Sequence, residues 1–141
     1  MASVTYNNGK GAILKEDFDT VTLKAIFLDP AYTPNIDTDI YLSDITTSRA
    51  TATTDVTLAN VAINVDNTDN RAYLNFDDFE TGILTTEFNA YGVYISTGVN
   101  STSQLVGYIE MTDGTTTPKT FVSIGGNNTV TVPTKGALYI A

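Results

Sequence analysis

The sequence predicts an all-β protein, and three observations carry the prediction. Threonine, which is β-branched and suits a pleated, half-buried surface, supplies 25 of the 141 residues. The strong helix formers Lys, Glu, Arg and Ala are few or scattered. Short runs of apolar character recur at a spacing of roughly 8–12 residues with turn residues between them. We therefore expect one domain over residues 1–141, a β-sandwich or a jelly-roll-like fold with about eight short antiparallel strands.

One short helix is predicted before the strands begin. Residues 6–16 (YNNGKGAILKE) combine an apolar stretch with Asn7 or Asn8 as a candidate N-cap. Gly9 lowers the helix propensity of this run. Residues 1–16 are thus expected to form an N-terminal arm and helix.

The clearest strand signals lie in the first half of the chain. Thr20–Leu28 begins with alternation and ends in an apolar run, which predicts a central strand. The alternating runs Val61–Val65 and Arg71–Phe76, joined by the turn Asp66–Asn70, predict a hairpin. Ile40–Ile45 fits either one helical turn or a short edge strand.

A turn is predicted at Asp77–Gly82, and the most aromatic of the predicted strands, Phe88–Ser96, follows it. The run Gln104–Met111 contains Val-Gly-Tyr-Ile, which resembles the Gly-Val-Tyr-Ile of the run Phe88–Ser96. Such similarity is expected of neighbouring paired strands. The other predicted strands are Thr51–Leu58, Phe121–Ile124, Thr129–Val132 and Ala137–Ile140.

Composition and charge disfavour several functional classes. The net charge of −9 repels nucleic acid phosphates, and the sequence lacks the polybasic patch of a membrane-surface protein. The chain has neither cysteine nor histidine, which removes disulfides, thiolate metal sites and the commonest general base. No signal peptide, bilayer-spanning apolar run, nucleophile elbow or phosphate-binding loop is recognisable. We expect a non-enzymatic protein made in a cytoplasm, without a cofactor and without direct contact to nucleic acid or membrane.

An acidic cluster in the middle of the chain is the first candidate site. Oxygen-rich loops can hold calcium, but the spacing here lacks the glycine and distal glutamate of an EF-hand loop. The adjacent Asp77 and Asp78 would face opposite sides of a strand, which disfavours a glycosidase pair. Turn formation is the favoured role and no metal site is assigned, although calcium binding stays open. The cluster comprises Asp66, Asp69, Asp77, Asp78 and Glu80.

Aromatic and glycine-rich positions give two further candidates. Tyr91, Tyr94 and Tyr108 lie on neighbouring predicted strands and could form a sugar-binding or protein-binding platform. Burial in a β core is the favoured interpretation of all three. Gly125–Asn128 could be a phosphate nest, but its place between two short strands favours a hairpin turn.

The segment from Asp19 to Ile45 carries a resemblance to a known set of proteins. It resembles virion structural proteins of phages, of the kind described as capsid decoration or cement proteins on HK97-type shells, or as tail-associated proteins. The match covers about a quarter of the chain well and the rest in outline. The matching residues are Asp19-Thr20-Val21, Leu23, Ala31-Tyr32-Thr33-Pro34-Asn35, Asp37-Thr38 and Leu42-Ser43-Asp44-Ile45.

The resemblance implies a mechanical rather than a chemical role. A cement protein would sit on the outer capsid surface of the virion and stabilise the shell by bridging major capsid protein subunits, as a homo-oligomer such as a dimer or trimer. The loop Asp29–Asp39 carries apolar side chains that are costly to expose unless a partner covers them. The expected partner contacts are therefore Tyr32, Pro34, Ile36 and Tyr41. The alternative is a tail-associated or receptor-binding and carbohydrate-binding β-sandwich module.

Overall fold

The computed structural model describes residues 3–15, 20–83, 86–111, 127–133 and 138–140, and it confirms the all-β class. The helices are short: α1 (Asn7–Lys15) and α2 (Leu42–Ile45), the second followed by a 3₁₀ turn at Thr46–Ser48. The strands are β1 (Val4–Thr5), β2 (Leu23–Leu28), β3 (Val56–Thr57), β4 (Ala62–Asp66), β5 (Arg71–Asn75), β6 (Phe79–Ile83), β7 (Ala90–Ile95), β8 (Leu105–Glu110), β9 (Asn127–Val130) and β10 (Leu138–Ile140).

The described strands form three antiparallel sheets. The largest has the order β1-β8-β7-β2-β3, the second β10-β5-β4, and the third pairs β6 with β9. The predicted central strand is confirmed, because β2 lies between β7 and β3. The predicted hairpin is confirmed as β4–β5, closed by the pair Asp66 and Arg71. Neighbouring positions for β7 and β8 are confirmed as well. The narrower assignment to a sandwich or a jelly roll stays a prediction.

The largest sheet is covered on both of its faces. Its first face joins a hydrophobic cluster with residues of the two smaller sheets, among them Leu74, Phe79 and Val130. Its second face carries a separate cluster with Tyr6 and the α2 residues Leu42 and Ile45. The alternation of β7 divides its side chains between the two clusters, as expected from a period of two. Among the residues that carry the resemblance, Leu23 belongs to the first cluster, whereas Tyr32, Leu42 and Ile45 pack in the second.

Helix α1 confirms the predicted helix and explains its glycine. A Cβ atom added at Gly9 would lie 2.4 Å from the carbonyl oxygen of Val106, so only glycine lets α1 approach β8 this closely. The expected cap is wrong, because Asn7 and Asn8 both lie inside the helix. The carbonyl of Tyr6, just before it, accepts from the N–H of Lys10.

Two predicted boundaries are wrong. Asp77–Gly82 was expected to be a turn, but Phe79–Ile83 forms β6, because its partner β9 lies almost fifty residues along the chain and is invisible to local composition. Only Val56–Thr57 of the predicted strand Thr51–Leu58 is a strand. The predicted strand Phe121–Ile124 lies outside the described residues.

Candidate functional site

The candidate site is the surface formed by residues 29–45, called here the 29–45 segment. It consists of a loop that leaves β2 at Asp29 and continues into α2. Asp29 shapes the start of the loop: its side chain accepts from the N–H of Ala31 at 2.8 Å and its carbonyl accepts from the N–H of Tyr32 at 2.9 Å. Such Asx turns fix a loop without regular secondary structure.

A chain of two tyrosines and one carboxylate fixes the middle of this segment. The Tyr32 hydroxyl donates to Asp39 Oδ2 at 2.7 Å and lies 2.7 Å from the Tyr6 hydroxyl. A phenol carries one proton, and Tyr32 gives its proton to Asp39, so Tyr6 donates to Tyr32. Burial raises the pKa of both phenols, and for Tyr32 the bonds to Tyr6 and Asp39 raise the pKa further. Both tyrosines therefore stay protonated at neutral pH.

Short-range hydrogen bonds complete the shape of the 29–45 segment. Asp39 Oδ2 also accepts from the N–H of Asn35 at 2.9 Å, while Asn35 Oδ1 accepts from the N–H groups of Asp37 and Thr38. Asp44 Oδ2 accepts from two backbone N–H groups that precede α2, at 2.8 and 2.9 Å. Because these bonds satisfy the loop's own backbone, the loop has a defined shape without a partner.

The 29–45 segment is also anchored to the body of the protein. The backbone and the side-chain amide of Asn7 donate to Ile36 O at 3.1 Å and to Asp37 Oδ1 at 2.7 Å. Ile40 O accepts from the N–H of Leu105 at the start of β8. Helix α2 adds an apolar anchor through its buried residues, Leu42 and Ile45.

The four expected contact residues share this surface but differ in exposure. Tyr41 is 40 % exposed, whereas Tyr32, Pro34 and Ile36 are half-buried. The view of Tyr32 as a side chain that only a partner covers is wrong, because its hydroxyl bonds to Tyr6 and Asp39 and its ring lies 6.0 Å from that of Tyr108. Tyr41 is thus the most accessible of the four.

Six of the fifteen residues that carry the resemblance build the shape of the segment. Tyr32, Asn35 and Asp44 make the bonds described above, Asp37 accepts from Asn7, and Leu42 and Ile45 are buried. In this chain, these residues hold a loop of defined shape. Sequence reasoning missed Tyr6, because no local pattern links it to Tyr32, which lies 26 positions further along the chain. It also missed Asp39, which lies only seven positions from Tyr32.

The acidic residues do not gather into one site. Asp66 Oδ1 caps the hairpin turn by accepting from the N–H of Thr68 at 2.9 Å. Asp77 accepts from Asn60 at 2.6 Å and Asp78 from the N–H of Val132 at 2.7 Å, on a shallow recess beside Pro133. Glu80 accepts from Asn127 and Asp69 pairs with Arg71. Within the described ranges, no three acidic side chains are grouped so that they could hold a metal ion. Turn and strand-end bonding accounts for these carboxylates.

The three tyrosines of β7 and β8 are buried, which confirms the core interpretation. Tyr91, Tyr94 and Tyr108 are 1 %, 3 % and 4 % exposed. The Tyr94 hydroxyl donates to Asp55 at 2.5 Å, and Asp55 also pairs with Arg49. No sugar-binding platform can form from these rings. Of Gly125–Asn128, only Asn127 and Asn128 are described, and both belong to β9.

Comparison of the chain with protein-family models, curated proteins and solved structures found no match. Among the helices of the described residues, none combines the length and the apolar character needed to cross a bilayer.

Proposed function

We propose that the chain is a non-enzymatic structural protein of a phage virion, a capsid cement or decoration protein that bridges major capsid protein subunits on the outer surface of the shell. The observation that carries the proposal is an overlap of two features: several residues that resemble those of virion proteins, among them Tyr32, Asn35 and Asp44, also make the hydrogen bonds that give the 29–45 segment its shape. A loop whose shape is fixed before binding loses little conformational entropy when a partner covers it.

The surface chemistry of the segment supports a protein partner. Tyr41 offers an accessible aromatic ring. Tyrosine is enriched among the few interface residues that contribute most of the binding free energy. The exposed residues around it are neutral or acidic, Thr33, Asn35, Asp37 and Thr38 among them. With a net charge of −9, the chain suits a basic patch on a capsid subunit and would not compete with that subunit for the genome.

Multivalency supplies the mechanical part of the proposal. A cement protein must hold on to a shell under pressure from packaged DNA, although each contact surface is small. When one oligomer contacts several subunits, the later contacts form at high effective concentration, and retention far exceeds that of one contact. Stability, rather than chemistry, is the property that such a role needs.

The alternative of a tail-associated or carbohydrate-binding module is less well supported. The basis of its carbohydrate-binding part in the sequence was the row of tyrosines on β7 and β8, and these side chains are buried. A location on the tail remains an outcome that the experiments below distinguish.

Binding to shells that lack the chain tests the proposal. Expanded shells of the phage that encodes the chain, prepared without it, are incubated with the purified protein and separated by sedimentation. We expect saturable binding at a fixed ratio to the major capsid protein, and a higher temperature of shell disruption. Tyr41→Ala should weaken binding, because it removes the accessible aromatic ring without touching the bonds that hold the loop.

The matched control is Tyr73→Ala, the same chemical change on β5. Tyr73 alternates with the buried Leu74, so it lies on the outer face of the three-stranded sheet. That sheet packs on the first face of the largest sheet, whereas the 29–45 segment packs on the second. We expect this variant to bind like wild type. Equal weakening by both variants, or shells that neither bind the protein nor gain heat resistance, would contradict the proposal.

A further inference from the structure

The hairpin β4–β5 carries an apolar face that runs beyond the hydrophobic core. Ile63 and Val65 of β4 pair with Leu74 and Ala72 of β5, so their side chains lie on the same face as the fully buried Leu74. Val61, just before the strand, packs against the core, but Ile63 is 38 % and Val65 is 71 % exposed. The face that begins in the core is thus open to solvent toward the hairpin tip.

Within the residues that the structure describes, the β4 edge of this hairpin carries none of the usual protection. Exposed strand edges are normally shortened, bulged or marked with lysine or proline, because their backbone groups can pair with another chain. The largest sheet follows this rule, since its edge strands β1 and β3 have two residues each. Strand β4 has five residues (AINVD), without lysine or proline, and within the described ranges its outer edge pairs with no strand.

We propose that the β4 edge pairs antiparallel with the β4 edge of a second copy of this chain, to form a twofold-symmetric dimer with a continuous sheet. The register centred on Asn64 pairs the whole strand. It places Ile63 opposite Val65 of the second copy on the apolar face, and Ala62 opposite Asp66 on the other face. No carboxylate lies opposite another, so the strand is complementary to itself, as a twofold interface requires.

The dimer should be weak in solution and strengthened by salt. Five paired residues from each copy are far fewer than the 20–30 or so per partner in a standard stable interface. Two chains of net charge −9 also repel each other, and added salt screens that repulsion. The inference does not depend on the virion proposal, because the pairing surface lies outside the 29–45 segment.

Sedimentation equilibrium of the purified full chain, from about 10 μM to about 1 mM, tests the proposal with two charge patterns. The double variant I63K/V65K places like charges opposite each other in this register and should weaken dimerisation roughly tenfold or more. The double variant I63K/V65E places opposite charges together and should dimerise clearly better than I63K/V65K. The control V99K makes the same type of change at a valine that is 55 % exposed in another part of the fold, and should dimerise like wild type.

Four results would overturn the proposal: a chain that is monomeric throughout this range, equal weakening by the two double variants, an equal effect of V99K, or a wild-type dimer that added salt weakens. The last of these would indicate a charge-driven contact. Far-UV circular dichroism and the melting temperature of each variant check that the fold is retained.

Discussion

Removing one hydroxyl group tests whether the Tyr6–Tyr32–Asp39 chain holds the 29–45 segment in shape. Tyr32→Phe keeps the ring but deletes the bond to Asp39 and the acceptor for the fully buried Tyr6. A hydrogen bond to a charged group contributes about 1.5–3 kcal/mol and a neutral one about 1 kcal/mol. Asp39 is half-buried, keeps its bond from Asn35 and can be rehydrated, which offsets part of the loss. We expect the free energy of unfolding to fall by about 2 kcal/mol.

Two assays report this change. In thermal unfolding the melting temperature should fall by roughly 8 °C, at about 4 °C per kcal/mol for a domain of this size. Hydrogen exchange should become faster for the backbone amides of residues 35–39, because the hydrogen bonds that link Tyr6, Tyr32 and Asp39 hold these residues in place. The control is Tyr41→Phe, which changes a side chain that is 40 % exposed and should alter stability by about 0.5 kcal/mol or less. If Tyr32→Phe is as stable as this control, the hydrogen bonds among Tyr6, Tyr32 and Asp39 do not hold the 29–45 segment in shape.

Three further predictions concern the body of the fold. Gly9→Ala should lower the free energy of unfolding in urea by about 1–3 kcal/mol, because the added Cβ clashes with the β8 backbone. The control Asn8→Ala, on the exposed side of the same helix, should be neutral or slightly stabilising. In alkaline titration the free energy of unfolding should stay constant up to about pH 10 and fall above it. Burial raises the pKa of Tyr6, Tyr32 and Tyr91 in the folded protein, so the unfolded chain loses its phenolic protons at lower pH. Tyrosinate absorbance from these three residues before the protein unfolds would contradict this prediction. A chelator should leave the melting temperature unchanged, and a large rise with added calcium would reveal a site among the acidic residues after all.

Local patterns predicted the elements that depend on neighbouring residues. The hairpin β4–β5 and its turn follow from alternation around Asp66–Asn70, and the helix at residues 7–15 follows from its apolar run. Strand β6 could not be found in this way, since Phe79 is placed by core burial and by pairing with Val130. Such non-local pairing overrides the turn signal of the acidic residues around it.

The same distinction applies to the candidate site. The sequence indicated the loop Asp29–Asp39 and four expected partner contacts, of which Tyr41 is the most exposed in the structure. It gave no sign that Tyr32 is held by Tyr6 from the N-terminal arm, because that contact exists only once α1 and β8 have brought the two rings together. The exposure of the Val65 side chain was also not predicted. Alternation predicts that β4 is a strand, but it does not predict which end of that strand the core covers.

The position of the chain in the particle tests the central claim most directly. If the chain is the proposed capsid cement protein, a cryo-EM reconstruction of virions whose genome encodes it should show the chain on the outer surface of the shell, with Tyr41 and the surrounding 29–45 segment facing the major capsid protein. Density for the chain at the tail, its absence from the virion, or a shell-bound chain whose 29–45 segment faces solvent would contradict the account.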